Sequence, residues 1–214
     1  MFKSRSFCPS CKKQINWYDN IPFLSFIFLK GKCRNCSYKI SFQYFLVELI
    51  AAISFLLVYF LYGISVKSLL LIILSIFFII IFFIDLKHFI IPNELTFPLM
   101  VIGFLKSFDP NLDQTIFPNY INSILGGFIG YFLIWLVIFV YEKIRKKEGM
   151  GLGDAKLMAA IGFWFGWVSI PFTIFISSLV ALIFVMPSLL NKTRKVSSQI
   201  PFGPYIIIGC IIYV

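Results

Sequence analysis

Seven apolar runs, at residues 42–62, 67–85, 95–107, 119–141, 154–168, 170–190 and 200–214, dominate this chain of 214 residues. A helix needs about 20 mostly apolar residues to cross a bilayer, because the hydrocarbon core is about 30 Å thick. The first, second, fourth and sixth runs meet that length, whereas the third, fifth and seventh are short or carry Pro or Gly. Backbone in lipid must satisfy its own hydrogen bonds, so helices are the expected element. No apolar–polar alternation is long enough for a barrel. Charged residues make up 13% of the chain, roughly half the share of a soluble domain. The expected class is an all-α polytopic membrane protein with about seven transmembrane helices and a small N-terminal cytoplasmic zinc-binding module.

The formal charge of +10 suggests nucleic acid only until the cations are placed along the chain. They fall in the gaps between apolar runs. With the N-terminal segment in the cytoplasm, seventeen of the nineteen Lys and Arg lie on the cytoplasmic side. Only Lys67 and Lys106 fall outside, the latter beside the loop acids Asp109 and Asp113. The bias predicts a cytoplasmic N-terminus and seven spans. Lipid, not nucleic acid, is the expected partner. Residues 1–41 are polar, basic and cysteine-bearing, with no cleavable signal peptide.

Those 41 residues hold two CxxC pairs, "CPSC" (Cys8, Cys11) and "CRNC" (Cys33, Cys36). Four soft ligands on two tight turns make a closed tetrahedral site, the arrangement of structural rather than catalytic zinc. The alternative is disulfide or redox chemistry, which a reducing cytoplasm disfavours. The segment between the pairs, "INWYDNIPFLSFIFLKGK", is too apolar for an idle linker. It reads either as a small domain resting on the membrane surface or as a direct substrate contact. Residues 1–41 are therefore the expected metal module and 42–214 the membrane domain. Cys210 stands alone in the last apolar run and reads as a buried small hydrophobe.

Only nine Asp and Glu exist, so each is informative. Glu48 lies two turns into the first span, where a carboxylate is costly unless it faces protein or water. Asp85 ends the second span, in "FFIDLKHFIIPNE", and Asp154 begins the fifth, in "GLGDAKL". The charge-derived topology puts both at the cytoplasmic membrane face. Two carboxylates at one depth, walled by apolar helices, form a pair able to share a proton and work as acid and base. Separately, Asp154 reads equally as a helix N-cap and Asp85 as an acid at the water boundary. Helix dipoles favour the anion at Asp154 and disfavour it at Asp85, which would make Asp154 the base and Asp85 the acid. Gly151 and Gly153 let the backbone turn sharply and let a peptide approach. With Lys156 and Glu48 they are the expected substrate-binding or supporting residues. His88 either tunes Asp85 or sits at the interface. "GMGLG" is a weak dinucleotide or methyl-donor fingerprint, because no strand precedes it.

The blocks "CPSCKKQINWYDNIPFLSFIFLKGKCRNCSYKISFQYFLVE", "DLKHFIIPN", "GMGLGDAKLMAAIGFWFG" and "IPFGPY" resemble the bacterial prepilin peptidases. The likeness runs through nearly the whole chain. It implies a membrane-embedded aspartic protease of the GxGD type. Such enzymes remove short basic leaders from type IV prepilins and type II secretion pseudopilins, after a glycine and at the cytoplasmic face of the bacterial inner membrane. Their catalytic aspartates map onto Asp85 and Asp154. The resemblance also implies methylation of the new N-terminal amine by S-adenosylmethionine, an activity associated with the cysteine-bearing part. Family members usually start with a further transmembrane helix before the cysteine module, whereas here "FKSRSFCPSC" directly follows Met1; either the start is short, and one wall of the usual eight-helix bundle is then absent, or the true beginning is missing.

Two other readings use the same residues. A proton-coupled transporter would use Asp85, Asp154 and Glu48 as relay carboxylates, but a relay steps through the membrane instead of gathering at one depth. An inactive scaffold would use zinc to hold a partner-binding loop.

Overall fold

The computed structural model describes residues 6–21, 23–110, 112, 116–146, 151–190 and 200–214. Charges counted above at Lys3, Arg5, Asp113, Lys147, Glu148, Lys192, Arg194 and Lys195 lie outside them, as do Pro22, Gly149 and Met150. The chain divides into two compact units, Met1–Ile64 and Ser65–Val214.

In the first unit each CxxC pair sits on a tight loop. Antiparallel bridges close the loops, Phe7 to Gln14 and Lys32 to Lys39. A 3-10 turn at Trp17–Asn20 leads into the short helix α1, Leu24–Phe28. Helix α2, Phe42–Tyr62, follows, with Ser41 at its N-cap accepting from the Gln43 N–H. Phe26 of α1 lies against Phe42 and Phe45 in the first turn of α2, with ring centroids 6.1 and 5.2 Å apart. Apart from this aromatic cluster the unit has little core: Cys8 is its one buried hydrophobic side chain among the described residues.

The second unit holds α3 (Val66–His88), α4 (Asn93–Lys106), α5 (Tyr120–Arg145), α6 (Leu152–Phe165), α7 (Ser169–Leu190) and α8 (Gly203–Tyr213). All seven apolar runs are thus helical. Four helices, α2, α3, α5 and α7, are long and apolar enough to cross a membrane. The shorter α4, α6 and α8 have 14, 14 and 11 residues. At 1.5 Å per residue, about 21 Å or less, none spans a hydrocarbon core unaided.

Helix α6 is the centre of the unit. Beyond Asp154 and Lys156 near its start it is apolar on every side, which marks a helix enclosed by others. Ten of its fourteen residues are buried, chiefly against α5 and α4. Lipid supplies no hydrophobic drive between helices, so close backbone approach and internal hydrogen bonds must hold them. Both are present. A Cβ on Gly126 of α5 would overlap the Gly162 carbonyl of α6, and one on Gly162 would overlap Gly126. The last carbonyls of α6 have no partner within the helix. Ser123 Oγ donates to the Phe163 carbonyl and Lys106 Nζ to the Trp164 carbonyl, each at 2.7 Å. Trp164 Nε1 in turn donates to the Leu99 carbonyl at 2.8 Å. Lys106 is therefore no loop charge beside Asp109. It is 7% exposed, its ammonium lies 4.0 Å from the Phe117 ring centroid, and it caps a helix C-terminus, where a cation is favoured.

Candidate active site and metal centre

Asp85 sits in the last turn of α3 and Asp154 is the third residue of α6. Both are buried, at 4% and 7% exposure, although each is an acid in an apolar helix. Residues remote in sequence bring them together. The Gly203 N–H, at the first position of α8, donates to Asp85 Oδ2 at 3.0 Å. A Cβ on Gly203 would lie 2.7 Å from that oxygen and 3.1 Å from Ile91 Cδ1. A Cβ on Gly153, next to Asp154, would lie 2.9 Å from Ile91 Cβ. Ile91 thus wedges against both glycines, and the two acids flank this contact.

The Gly203 contact corrects one expectation. Asp85 does end α3, but its carboxylate also meets the N-terminus of α8. Dipoles of the acids' own helices therefore do not divide them into base and acid.

Lys156 Nζ donates to Asn93 Oδ1 at 2.7 Å, tying α6 to the start of α4 beside the pair. Gly151 is the α6 N-cap at φ −81°, and a Cβ there would meet nothing closer than 3.8 Å. Gly153 is the glycine that packing requires. His88 ends α3 and is exposed. Glu48 belongs to the first unit, where its Oε2 accepts the Phe23 N–H at 3.1 Å. Gly203 and Ile91 were not singled out from sequence. Their signal was the "IPFGPY" block and the turn "HFIIPN", where a proline follows Ile91 directly.

In the first unit the four thiols of Cys8, Cys11, Cys33 and Cys36 all lie within 4.8 Å of one another. Cys8 and Cys36 Sγ are 3.7 Å apart, close to the ~3.8 Å edge of a tetrahedron with metal–sulfur bonds of about 2.3 Å. Lys12 and Ser37, each directly after a CxxC, adopt φ of 53° and 57°, so both loops turn the same way. All four cysteines are free. The set fits one tetrahedral soft ion. The Cys8 thiol is pulled down to about 7 by the Cys11 backbone N–H, against desolvation. At Cys36 the Tyr38 backbone N–H pulls down, but desolvation and the neighbouring thiols push the value up to about 11.

A cavity of about 680 Å³ lies beside this centre, bordered by Asp19, Phe26, Tyr38, Tyr44, Phe45 and Glu48 among others.

Residues 72–186 match the type IV leader peptidase family, and residues 1–62 match the bacterial peptidase A24 N-terminal domain. Among similar proteins is a prepilin leader peptidase/N-methyltransferase of Aeromonas salmonicida (strain A449). It is 36% identical over 208 residues, which cover 96% of this chain and 69% of the relative. A protein of the same name from Neisseria gonorrhoeae is 38% identical over 214 residues, 100% of this chain and 72% of the relative. One from Vibrio cholerae is 36% identical over 211 residues, 98% of this chain and 80% of the relative. No solved structure matches the chain. The chain, with its buried acids on two apolar helices and its tetracysteine cluster, belongs to the type IV leader peptidase family.

Proposed function

We propose that this protein is a prepilin leader peptidase of the bacterial inner membrane that cuts at the cytoplasmic face, with Asp85 and Asp154 as its catalytic acids. The observation that carries the reading is that both acids, buried on different apolar helices, flank one Ile91–Gly153–Gly203 contact. A prepilin presents a basic leader in water and an apolar helix in lipid, so its scissile bond lies at the boundary. Acids at that boundary reach the bond without drawing charge into lipid.

One carboxylate takes a proton from a water, which attacks the scissile carbonyl carbon. The other gives its proton to the carbonyl oxygen, forming a gem-diol; as the C–N bond breaks, the first acid passes the water's proton to the leaving amine and the second carboxylate regains its own from the diol hydroxyl. No acyl-enzyme forms. The Gly203 N–H keeps one Asp85 oxygen as an acceptor and fixes the carboxyl plane. Lys156, through Asn93, holds the α6 N-terminus that carries Asp154. The N-terminus is assigned to the cytoplasm from the lysine and arginine bias.

Residues 1–41 are assigned as the metal module and 42–214 as the peptidase domain. Cys8, Cys11, Cys33 and Cys36 would hold structural Zn²⁺, with no open position for substrate. Methylation of the new N-terminal amine is carried over from the names of the relatives. S-adenosylmethionine would supply an electrophilic methyl group. The cavity beside the cysteines is within the size range of ligand pockets, and its rings and acids suit an adenine and a cationic sulfur. Gathered acids do not favour a stepwise proton relay, and no observation favours an inert scaffold.

The test is mass spectrometry of a co-expressed prepilin. Wild type should remove the leader and add 14 Da per methyl, as expected for group transfer of CH₂ net (about 14 Da). Asp85→Asn and Asp154→Asn should each leave the leader on while the protein stays inserted. Full cleavage by either variant defeats the assignment.

A further inference from the structure

We propose that the outer face of α1 and the adjoining Trp17 turn is a lipid-docking surface, seated in the headgroup layer of an anionic bilayer. The inference concerns the first unit alone and does not rest on the peptidase reading.

Depth is the first ground. Helix α2 is a membrane-crossing candidate that starts at Phe42. Glu48 lies six residues further on, about 9 Å along the axis. Its carboxylate accepts the Phe23 N–H at the start of α1, and Phe26 packs on Phe42 and Phe45. The cysteine module therefore reaches almost two turns down the flank of α2. Polar groups bonded at that level place α1 beside the membrane boundary, not above it.

The outward face supplies the second ground. Leu24, Ile27 and Phe28 are spaced i, i+3, i+4 and so share one side of α1. They are 51%, 60% and 79% exposed, and Trp17 on the neighbouring turn is 80% exposed. The turn and α1 are in contact, and Ser25 Oγ donates to the Ile21 carbonyl at 2.5 Å and to the Tyr18 carbonyl at 3.3 Å. An amphipathic Trp beside large apolar side chains is the composition of a membrane interface.

Charge is the third. Lys12, Lys13, Lys30, Lys32 and Lys39 are exposed. Of the two acids of this unit, Asp19 is bound to Arg34 at 2.6 Å and Glu48 accepts the Phe23 N–H at 3.1 Å. Exposed apolar groups on a unit whose exposed lysines outnumber its acids complement anionic phosphate headgroups.

The experiment uses the full, metal-loaded chain labelled with 5-fluorotryptophan in bilayer discs of phosphatidylethanolamine and phosphatidylglycerol. The Trp17→Phe variant identifies the Trp17 fluorine resonance. A nitroxide on the lipid near the headgroup should broaden that resonance, and a soluble gadolinium chelate should leave it sharp. Lys30→Glu with Lys32→Glu should move Trp17 toward the aqueous agent in phosphatidylglycerol discs and change little in purely zwitterionic ones. A Trp17 resonance broadened by the chelate and untouched by the lipid label overturns the proposal. So does protection that arises only when a prepilin is added, which would make the face a substrate contact.

Discussion

At the residue scale the decisive contacts are those of the two glycines that crowd the acids. Gly203→Ala would put a methyl 2.7 Å from Asp85 Oδ2. The carboxylate must rotate away, and its bond to the residue-203 N–H is lost. A displacement of about 1 Å costs on the order of 100-fold in rate. The expected result is a fall of that size in kcat with normal insertion. Gly151→Ala, whose Cβ meets nothing nearer than 3.8 Å, should cleave prepilin like wild type. Gly153→Ala presses on Ile91, so Ile91→Ala should restore part of its lost activity. Additive losses in that double variant would mean the two residues are not coupled. The acids themselves were legible because acids are scarce in this chain and each had to be explained. Gly203 was not. It lies 118 residues from Asp85, and the dipole argument considered only the helices that carry the acids. Lys106 is a related case: the sequence places it outside, beside the loop acids, and gives no sign of its buried carbonyl partner.

Helices place those residues, and here α5 and α6 decide. Their backbones meet at Gly126 and Gly162 with no room for one added carbon on either. Both obstructing groups are backbone, so rotamer changes give no relief. Gly162→Ala should cost about 1–3 kcal/mol or more of stability, read as a lower thermal unfolding midpoint in detergent. It should also cut activity, since α6 carries Asp154. Ser123→Ala removes the 2.7 Å bond to the Phe163 carbonyl. Hydrogen bonds between helices in membranes average only about 0.6 kcal/mol, so its midpoint should fall much less. An equal drop for both variants would deny that close approach sets the interface. Helix positions were readable from hydropathy, because length and apolarity alone define a spanning run. Helix pairing was not, because a helix that is apolar all round beyond Lys156, as α6 is, has no preferred face. The glycines at 126, 127 and 130 were the available signal for close packing.

On the scale of the whole molecule, the two units rest on different physics, and that separates their responses to metal loss. Ser65–Val214 encloses Trp164, Leu157, Met158, Ile161 and the lone Cys210 at 0% exposure, a packed interior that needs no metal-binding thiols. Among its described residues Met1–Ile64 has almost no buried side chains and gathers four thiols within 4.8 Å instead. Small modules of that kind take their folding free energy from the ion. Chelation should therefore strip amide-exchange protection from residues 6–41 and leave α3–α8 protected. Unchanged protection at 6–41 after complete metal removal would show that the aromatic cluster suffices. The pH dependence follows from the same thiols. Without metal, Cys36 stays protonated up to about pH 11 and Cys8 up to about pH 7, and thiolates are the ligands. Binding at neutral pH must release protons, so acidification opposes it. Apparent affinity should drop about tenfold per pH unit for each proton displaced. Cys36 contributes throughout the range below about 11, and Cys8 adds its share as the pH falls through about 7. The slope of log affinity against pH should therefore steepen on crossing neutrality downward, and a slope that flattens there would mean the ion is not held by this set of thiols.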